Sequence, residues 1–203
     1  PFMNSQFLHL FRNLLTTLTL GSLASCSIYS TRVDHEAAAL LHSMSDKLSK
    51  AGTLRVVAER EVTPEFHLGV TLPEKATVEA VVRRPNRLVV KSSSKLGDRA
   101  VSYDGKELLY ADYEGGTHAK INARADIDST ARAVAEVYGA MPPLVELLAN
   151  DPLSFLMENV TEGRHAGKEE TDGVATEHLK FQQDGIAWEL WIGTADSLPR
   201  KMT

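Results

Sequence analysis

The sequence predicts an α+β protein in which one helix precedes successive antiparallel hairpins and a second helical stretch interrupts them. After residue 53, several short runs alternate between apolar and polar side chains, which is typical of strands with one buried face. Asp104-Gly105 and Asp184-Gly185 are dipeptides that favour tight hairpin turns. The stretches 34–52 and 127–157 instead place apolar residues at helical spacing. With 203 residues, the chain is long enough for one domain with a sizeable core.

The first predicted helix begins after Asp34, whose side chain suits an N-cap, and ends at Gly52. The apolar residues that recur along it are Ala37, Leu40, Leu41, Met44, Leu48 and Ala51. Alternation then predicts strands over 53–62, 74–84, 88–90, 100–103, 107–110 and 118–122. We expect a loose connection over 64–73 and turns at Arg84-Pro85-Asn86-Arg87 and Gly115-Gly116.

The middle of the chain predicts a helix over 127–138 that Gly139 stops, followed by two short leucine-rich helices. Met141-Pro142-Pro143 opens the first of these, and Asn150-Asp151-Pro152 separates it from the second, since proline suits the first turn of a helix. Strands are then predicted over 160–166, 174–181 and 186–192. Residues 198–203 look like the start of another strand, so we expect the natural protein to continue beyond Thr203.

The N-terminal segment has the features of a secretory signal that ends at Leu23-Ala24-Ser25-Cys26, which resembles a bacterial lipobox. The resemblance implies a diacylglyceryl thioether on Cys26, the only cysteine of the chain. An ordinary secretory signal with an incidental cysteine is the alternative. We expect a signal peptide over 1–25, a lipidated tether over 26–33 and a folded domain over 34–203. Because Ser27 is not the aspartate associated with inner-membrane retention, outer-membrane anchoring on the periplasmic side is favoured.

Composition and motifs exclude several functions. The formal net charge of −5 disfavours nucleic-acid binding, which needs a basic face. The histidines lack the spacing of a zinc site, and no Gly-x-Ser-x-Gly motif occurs. We therefore expect a non-enzymatic protein without a metal or cofactor. We also expect His178 to be solvated, and the arginines Arg83, Arg84 and Arg87 to form either a solvated turn or a contact with lipid phosphate or an acidic partner.

Two sets of motifs resemble the LolA/LolB-like superfamily of periplasmic lipoprotein carriers. The first set is Arg84-Pro85-Asn86-Arg87-Leu88 with Tyr103-Asp104-Gly105-Lys106-Glu107-Leu108-Leu109-Tyr110. The second set is closer to an uncharacterised family of predicted periplasmic proteins within that superfamily. It comprises Gly167-Lys168-Glu169, Asp172-Gly173-Val174, His178-Leu179-Lys180-Phe181, Trp188-Glu189-Leu190-Trp191-Ile192 and Leu198-Pro199-Arg200-Lys201. The resemblance covers residues 36–203.

The resemblance implies a strongly curved antiparallel sheet, an incomplete barrel, with an N-terminal helix and a mid-chain helical lid. It also implies a cavity that holds a lipid or a lipoprotein acyl chain, since a half-open barrel with an apolar lining shields such chains from water. The strand faces are either cavity lining or ordinary core, and the mid-chain leucines are either lid or core. The candidate ligand-binding residues are Val78, Ala80, Val82, Leu88, Val90, Tyr110, Leu144, Leu148, Phe155, Trp188 and Leu190.

The alternative function is a periplasmic protein-interaction or sensor module that binds an envelope protein partner. In that case the cavity is filled by the protein's own side chains. The space between the sheet and the helices over 126–157 distinguishes the two hypotheses, because a wide apolar space favours ligand binding and a filled one favours protein interaction.

Overall fold

The computed structural model describes residues 32–62, 74–139, 143–183 and 185–203. In chain order, the elements are β1 (Arg32–Val33), α1 (His35–Lys50), β2 (Thr53–Val62), β3 (Glu74–Arg83), β4 (Arg87–Ser94), β5 (Gly97–Tyr103), β6 (Glu107–Asp112), β7 (Thr117–Asn122), α2 (Ile127–Tyr138), α3 (Val145–Leu148), α4 (Pro152–Leu156), β8 (Val160–Thr171), β9 (Val174–Gln183), β10 (Ile186–Gly193) and β11 (Pro199–Met202). The predicted signal peptide, Cys26, the 64–73 connection, Met141-Pro142 and Asp184 lie outside the described residues.

The strands form two sheets. Strands β2 to β7 are sequential antiparallel neighbours in a six-stranded sheet, and a five-stranded sheet has the order β1-β8-β9-β10-β11. Its edge strand β1 pairs with β8 in parallel. No hydrogen-bonded ladder between described strands joins the two sheets, so they do not close into a barrel. The α+β, mainly antiparallel and open architecture is confirmed, although the described strands divide into two sheets where the resemblance implied one.

Helix α1 begins where the sequence predicts, because Asp34 is its N-cap. The Asp34 Oδ1 atom accepts a hydrogen bond from the backbone N–H of Ala37 at 2.6 Å. Its Oδ2 atom accepts another from the backbone N–H of His165 in β8, at 2.8 Å. The Asp34 N–H also donates to the carbonyl oxygen of Gly163. One residue therefore starts the helix and fixes it to the five-stranded sheet.

The mid-chain helices pack against both sheets. Leu148 of α3 and Ile127 of α2 belong to the core cluster of the six-stranded sheet. Leu147 of α3 and Leu156 of α4 belong to the cluster that α1 forms with β8, β9 and β10. The expected position of these helices over the sheet surface is thus confirmed. Among the described residues, no helix is long and apolar enough to cross a membrane.

Arg84, in the turn between β3 and β4, connects this turn to two helices. Its guanidinium is half-buried and donates to the carbonyl oxygen of Leu48 in α1, with Nη2 at 3.1 Å, and to that of Leu148 in α3. Arg83 is exposed. The expectation of a fully solvated arginine turn is wrong for Arg84, because the carbonyl groups at the ends of the two helices need donors.

His178 is also buried, with 4% of its surface exposed, so the expectation that it is solvated is wrong. Its ring nitrogens lie 2.7 Å from Glu169 Oε1 and 2.7 Å from Glu189 Oε2, and its ring stacks on Trp191 at 4.2 Å. Carboxylates only accept hydrogen bonds, so both bonds form together when both ring nitrogens carry protons. Lys180 adds a hydrogen bond to Glu189. This polar network covers the face of the five-stranded sheet opposite the core.

Replacing Arg84 with alanine is expected to lower the free energy of unfolding by about 2–4 kcal/mol, because two backbone carbonyls lose a charged donor. Arg83→Ala is the matched control and is expected to stay within about 0.5 kcal/mol of the parent, since its side chain is exposed. Urea denaturation measures both values. Equal effects of the two substitutions would contradict the connecting role of Arg84.

The network around His178 predicts a loss of stability in acid. Hydrogen bonds from Trp191 and then His178 lower the pKa of Glu169. Hydrogen bonds from Lys180 and His178 lower the pKa of Glu189, although burial opposes them. Unfolded glutamate titrates near pH 4.3, so this stabilisation is fully present above that pH and is lost as the pH falls through the lower folded pKa.

We therefore expect Glu169→Gln to flatten the decrease of the urea midpoint below about pH 4.3, because the substituted amide does not titrate. Glu170→Gln, one residue later and exposed, serves as the control and should leave the pH profile unchanged. The measurement is the urea midpoint of each variant against pH. Parallel profiles for the parent and Glu169→Gln would show that the network does not contribute.

Candidate functional site

A cavity of about 930 Å³ lies between the mid-chain helices and one end of the five-stranded sheet. The helices α2, α3 and α4 contribute one side, and β9, β10 and β11 contribute the other. The lining residues are Arg132, Ala135, Glu136, Glu146, Phe155, Leu156, Glu158, Asn159, Gln183, Ile186, Trp188 and Met202. Two of them, Phe155 and Trp188, are among the candidate ligand-binding residues predicted from the sequence.

The apolar side of the cavity centres on Trp188. Its indole stacks on Phe181, with 4.2 Å between the ring centroids, and only 6% of its surface is exposed. Ile186 precedes it by two positions and shares its strand face, yet is 54% exposed. Ile186 lines the open cavity, which explains why a core-facing position remains accessible. The Nε1 atom of Trp188 is buried without a hydrogen-bond partner among the described residues.

The polar side of the cavity contains one arginine, which is held by neighbouring groups. The Nη1 atom of Arg132 bonds to a carboxylate oxygen of Glu158, and Nη2 donates to Ser154 Oγ at 2.9 Å. The guanidinium also lies over the Phe155 ring, 4.3 Å from its centroid, which is a cation–π geometry. This arginine therefore has carboxylate, hydroxyl and aromatic partners within the protein.

Glu146 of α3 is the most desolvated acidic group of the lining. Burial raises the pKa of its carboxyl, and its own backbone N–H and the positive charge of Arg60 offset only part of that effect. Within the described ranges, no group of three or more His, Cys, Asp or Glu side chains is arranged to hold a metal ion. The arrangement is thus an amphipathic cavity, with aromatic and aliphatic groups on one side and carboxylates on the other.

Most of the predicted strand residues lie in the packed core rather than beside this cavity. Those of β3 and β4 are at most 4% exposed and form one cluster with Tyr103, Leu108, Ile127 and Leu148. They are Val78, Ala80, Val82, Leu88 and Val90. Their common strand face agrees with the alternation in the sequence. Side chains of α2 and α3 occupy the space over this face, and contact of these residues with a ligand stays a prediction.

Leu148 is also a predicted residue and belongs to that same cluster, and the remaining three lie in different surroundings. Leu190 is fully buried in the core of the five-stranded sheet. Leu144 is half-buried and packs beside Leu148 with a φ of 64°. Tyr110 is half-buried and stands in register with Val101, toward the end of the sheet where Glu74 pairs with Arg99. The predicted set is therefore divided among two core clusters, the cavity and, for Tyr110, the end of the six-stranded sheet.

Sequence reasoning missed the polar half of the cavity lining. On α2, Arg132, Ala135 and Glu136 lie at positions i, i+3 and i+4, which share one helix face. That spacing was the available signal, but it gives no information on which element the face approaches. Glu146 and Glu158 lie in short segments without a clear period, so their convergence depends on the tertiary fold.

Several solved structures are similar to this chain. LprF from Mycobacterium bovis is 16% identical, with 83% of this chain and 86% of that chain covered and a TM-score of 0.48. The lipoprotein LppX from Mycobacterium tuberculosis is 14% identical, with 79% and 83% covered and a TM-score of 0.40. A LolA superfamily protein from Nitrosomonas europaea is 11% identical, with 82% and 70% covered and a TM-score of 0.33.

No curated protein matches the chain with significant similarity. A family model described as "Predicted periplasmic protein (DUF2092)" matches residues 37–203. The matched region extends from the first turn of α1 to the last described residue, and so includes every strand except β1 and all described residues that line the cavity. The predicted relationship to an uncharacterised periplasmic family is confirmed, and the chain belongs to the DUF2092 family of predicted periplasmic proteins.

Proposed function

We propose that this protein is a lipid-anchored protein of the bacterial cell envelope that binds a hydrophobic ligand, a lipid or a lipoprotein acyl chain, without catalysing a reaction. The observation that carries the proposal is the cavity of about 930 Å³ between the mid-chain helices and the five-stranded sheet. Membership of a family of predicted periplasmic proteins supports the location. The ligand would enter beside α2 and α4 and lie along β10.

The size and lining of the cavity suit a ligand with an apolar body and a polar end. Ligand cavities typically measure about 300–1,000 Å³ and combine apolar walls with a few polar groups. Phe155, Trp188 and Met202 offer apolar surface, while Glu146 and Arg132 provide polar groups on the helical side. A purely polar ligand would leave the apolar wall in contact with water, and a purely apolar one would bury the carboxylates without partners.

Movement of the mid-chain helices would enlarge the binding site. α3 and α4 have only four and five residues, so their position depends on tertiary packing rather than on helical stability. Displacement of α3 would expose the face of β3 and β4 that Leu148 covers. The core residues of that face would then line a cavity continuous with the site at Trp188, which is how the predicted strand residues would contact a long acyl chain.

The membrane attachment is proposed from the lipobox-like segment that ends at Cys26. A diacylglyceryl group on this thiol and an acyl group on the new amine would give more than one chain, which is what stable anchoring requires. Ser27 favours the outer membrane. Arg32 lies six positions after Cys26, a contour length of roughly 20 Å, so the domain would lie close to the bilayer surface.

A protein-interaction or sensor module is the second candidate function, and one observation favours it. The inner face of β3 and β4 is filled by the protein's own side chains, with Val78, Ala80 and Val82 fully buried. A filled face is what this alternative expects. In that case an envelope protein, rather than a lipid, would bind to the exposed surface of the domain.

Native mass spectrometry of the full chain purified from bacterial envelopes tests the ligand proposal. We expect a lipid-sized adduct on the domain, and we expect Ala135→Trp to abolish it because the indole would fill the cavity from α2. Val137→Trp is the matched control, since Val137 lies on the same helix and is 70% exposed. The control should retain the adduct.

Two results would contradict ligand binding. One is a parent protein that carries no adduct and whose thermal midpoint does not rise when phospholipid is added. The other is an adduct that Ala135→Trp leaves intact while the variant stays folded by circular dichroism. A stable envelope protein recovered without lipid would instead support the second candidate function.

Labelling of the full chain with radioactive palmitate in bacteria tests the anchor. We expect incorporation into the parent and into Ser27→Ala, and loss of the label in Cys26→Ser, because a hydroxyl does not replace the thiol in thioether formation. Membrane fractionation should show the same difference. Retention of label in Cys26→Ser would show that Cys26 is incidental to an ordinary secretory signal.

A further inference from the structure

The cavity lining has an imbalance of charge. Among the described residues that line it are three carboxylates, those of Glu136, Glu146 and Glu158, and one guanidinium, that of Arg132. A cavity that received an anionic ligand would be expected to show the opposite balance, because like charges at short range raise the free energy of binding. The lining therefore favours a ligand whose polar end is positive or donates hydrogen bonds.

Arg132 does not counter this excess of negative charge for a bound ligand, because its guanidinium already has partners within the protein. Glu158 and Ser154 accept its hydrogen bonds, and the Phe155 ring lies under its guanidinium. A carboxylate ligand would have to displace Glu158 from this arrangement, which would leave that carboxylate without its partner. Arg132 and Glu158 thus form a salt bridge with each other on one side of the cavity, and the guanidinium is not free to bind an anionic ligand.

The other two carboxylates remain available. Glu136 is exposed on α2, and neither it nor Glu146 forms a salt bridge with any residue in the described part of the chain. Arg60 acts on Glu146 electrostatically but also pairs with Glu74 at 3.9 Å. Glu146 is half-buried, so a cation brought next to it would interact more strongly than one in bulk water.

A second observation concerns an indole N–H in the wall of the cavity. Trp188 lines the cavity and is 94% buried, yet its indole N–H has no acceptor among the described residues. A buried N–H without an acceptor costs about 1–3 kcal/mol, so such groups normally have a water or ligand partner. The Nε1 atom is itself closed off from solvent, so an ester or phosphate oxygen next to an acyl chain would accept this hydrogen bond only after a neighbouring side chain or the indole moves.

We propose that the cavity selects an amine-bearing lipid, whose ammonium lies against Glu146 and Glu136 while its chain packs on Trp188, Ile186 and Phe155. This inference rests on the proposed lipid-binding function and adds the class of ligand to it. A free fatty acid is disfavoured, because its carboxylate would meet the carboxylates of Glu136 and Glu146 and an arginine that is already paired.

Isothermal titration of the full chain with three probes of equal chain length tests the proposal. The probes are decylammonium, decanol and decanoate, each below its micelle concentration. We expect decylammonium to bind at least about tenfold more tightly than decanoate, with decanol between them. Glu146→Gln should reduce the ratio to less than about threefold, and Glu136→Gln should reduce it in part.

Controls separate this proposal from the function on which it rests. Glu170→Gln lies in β8 outside the cavity and should keep the full preference, which excludes a general effect of net charge. Equal affinity for all three probes, or tighter binding of decanoate, would overturn the amine preference while leaving lipid binding intact. If none of the probes binds, the proposed function itself fails. If Glu146→Gln does not fold, Glu136→Gln alone decides the result.

Discussion

The packing of α3 between the two sheets is the constraint on which the rest of the structure depends. This helix has four residues, and three of them belong to three different buried clusters. Leu147 joins the core of the five-stranded sheet, Leu148 joins that of the six-stranded sheet, and Val145 packs with Ala131 and Phe155. Because no ladder links the described strands of the two sheets, these apolar contacts replace the hydrogen bonds that a closed barrel would have.

The cavity follows from the same arrangement. The four residues of α3 contact the cores of both sheets and do not fill all the space between the helices and the sheets. The space that remains is the cavity, where α2 and α4 approach the end of β10. The side chains there combine two kinds of surface. Trp188 and Ile186 continue the apolar face of the strand, whereas Glu146 and Arg132 come from helix faces that would otherwise meet solvent. An amphipathic space at such a boundary is a natural position for a ligand with two unlike ends.

The sequence predicted the helices and strands well because their periodicity is local. Asp34 and Gly139 confirm this at helix ends, since Asp34 caps α1 with its side chain and Gly139 ends α2 with a φ of 66°. The network at His178 could not be predicted in this way. A bulge between His165 and Gly167 shifts the register of β8 against β9, and Glu169 reaches His178 only in that shifted register. The charged groups of the cavity could not be predicted from local patterns either, because they come from separate parts of the helical region.

The hydrogen bonds of Arg84 also bear on any movement that widens the cavity. Its guanidinium donates hydrogen bonds to the carbonyl oxygen of Leu148 in α3 and to that of Leu48 in α1. Movement of α3 away from the strands would therefore break the hydrogen bond to Leu148, while the one to Leu48 would stay. The Arg84 side chain therefore holds α3 against the turn between β3 and β4. The strength of this hydrogen bond would set how often the interior opens, and hence how fast the proposed ligand would exchange as well as how tightly it would bind.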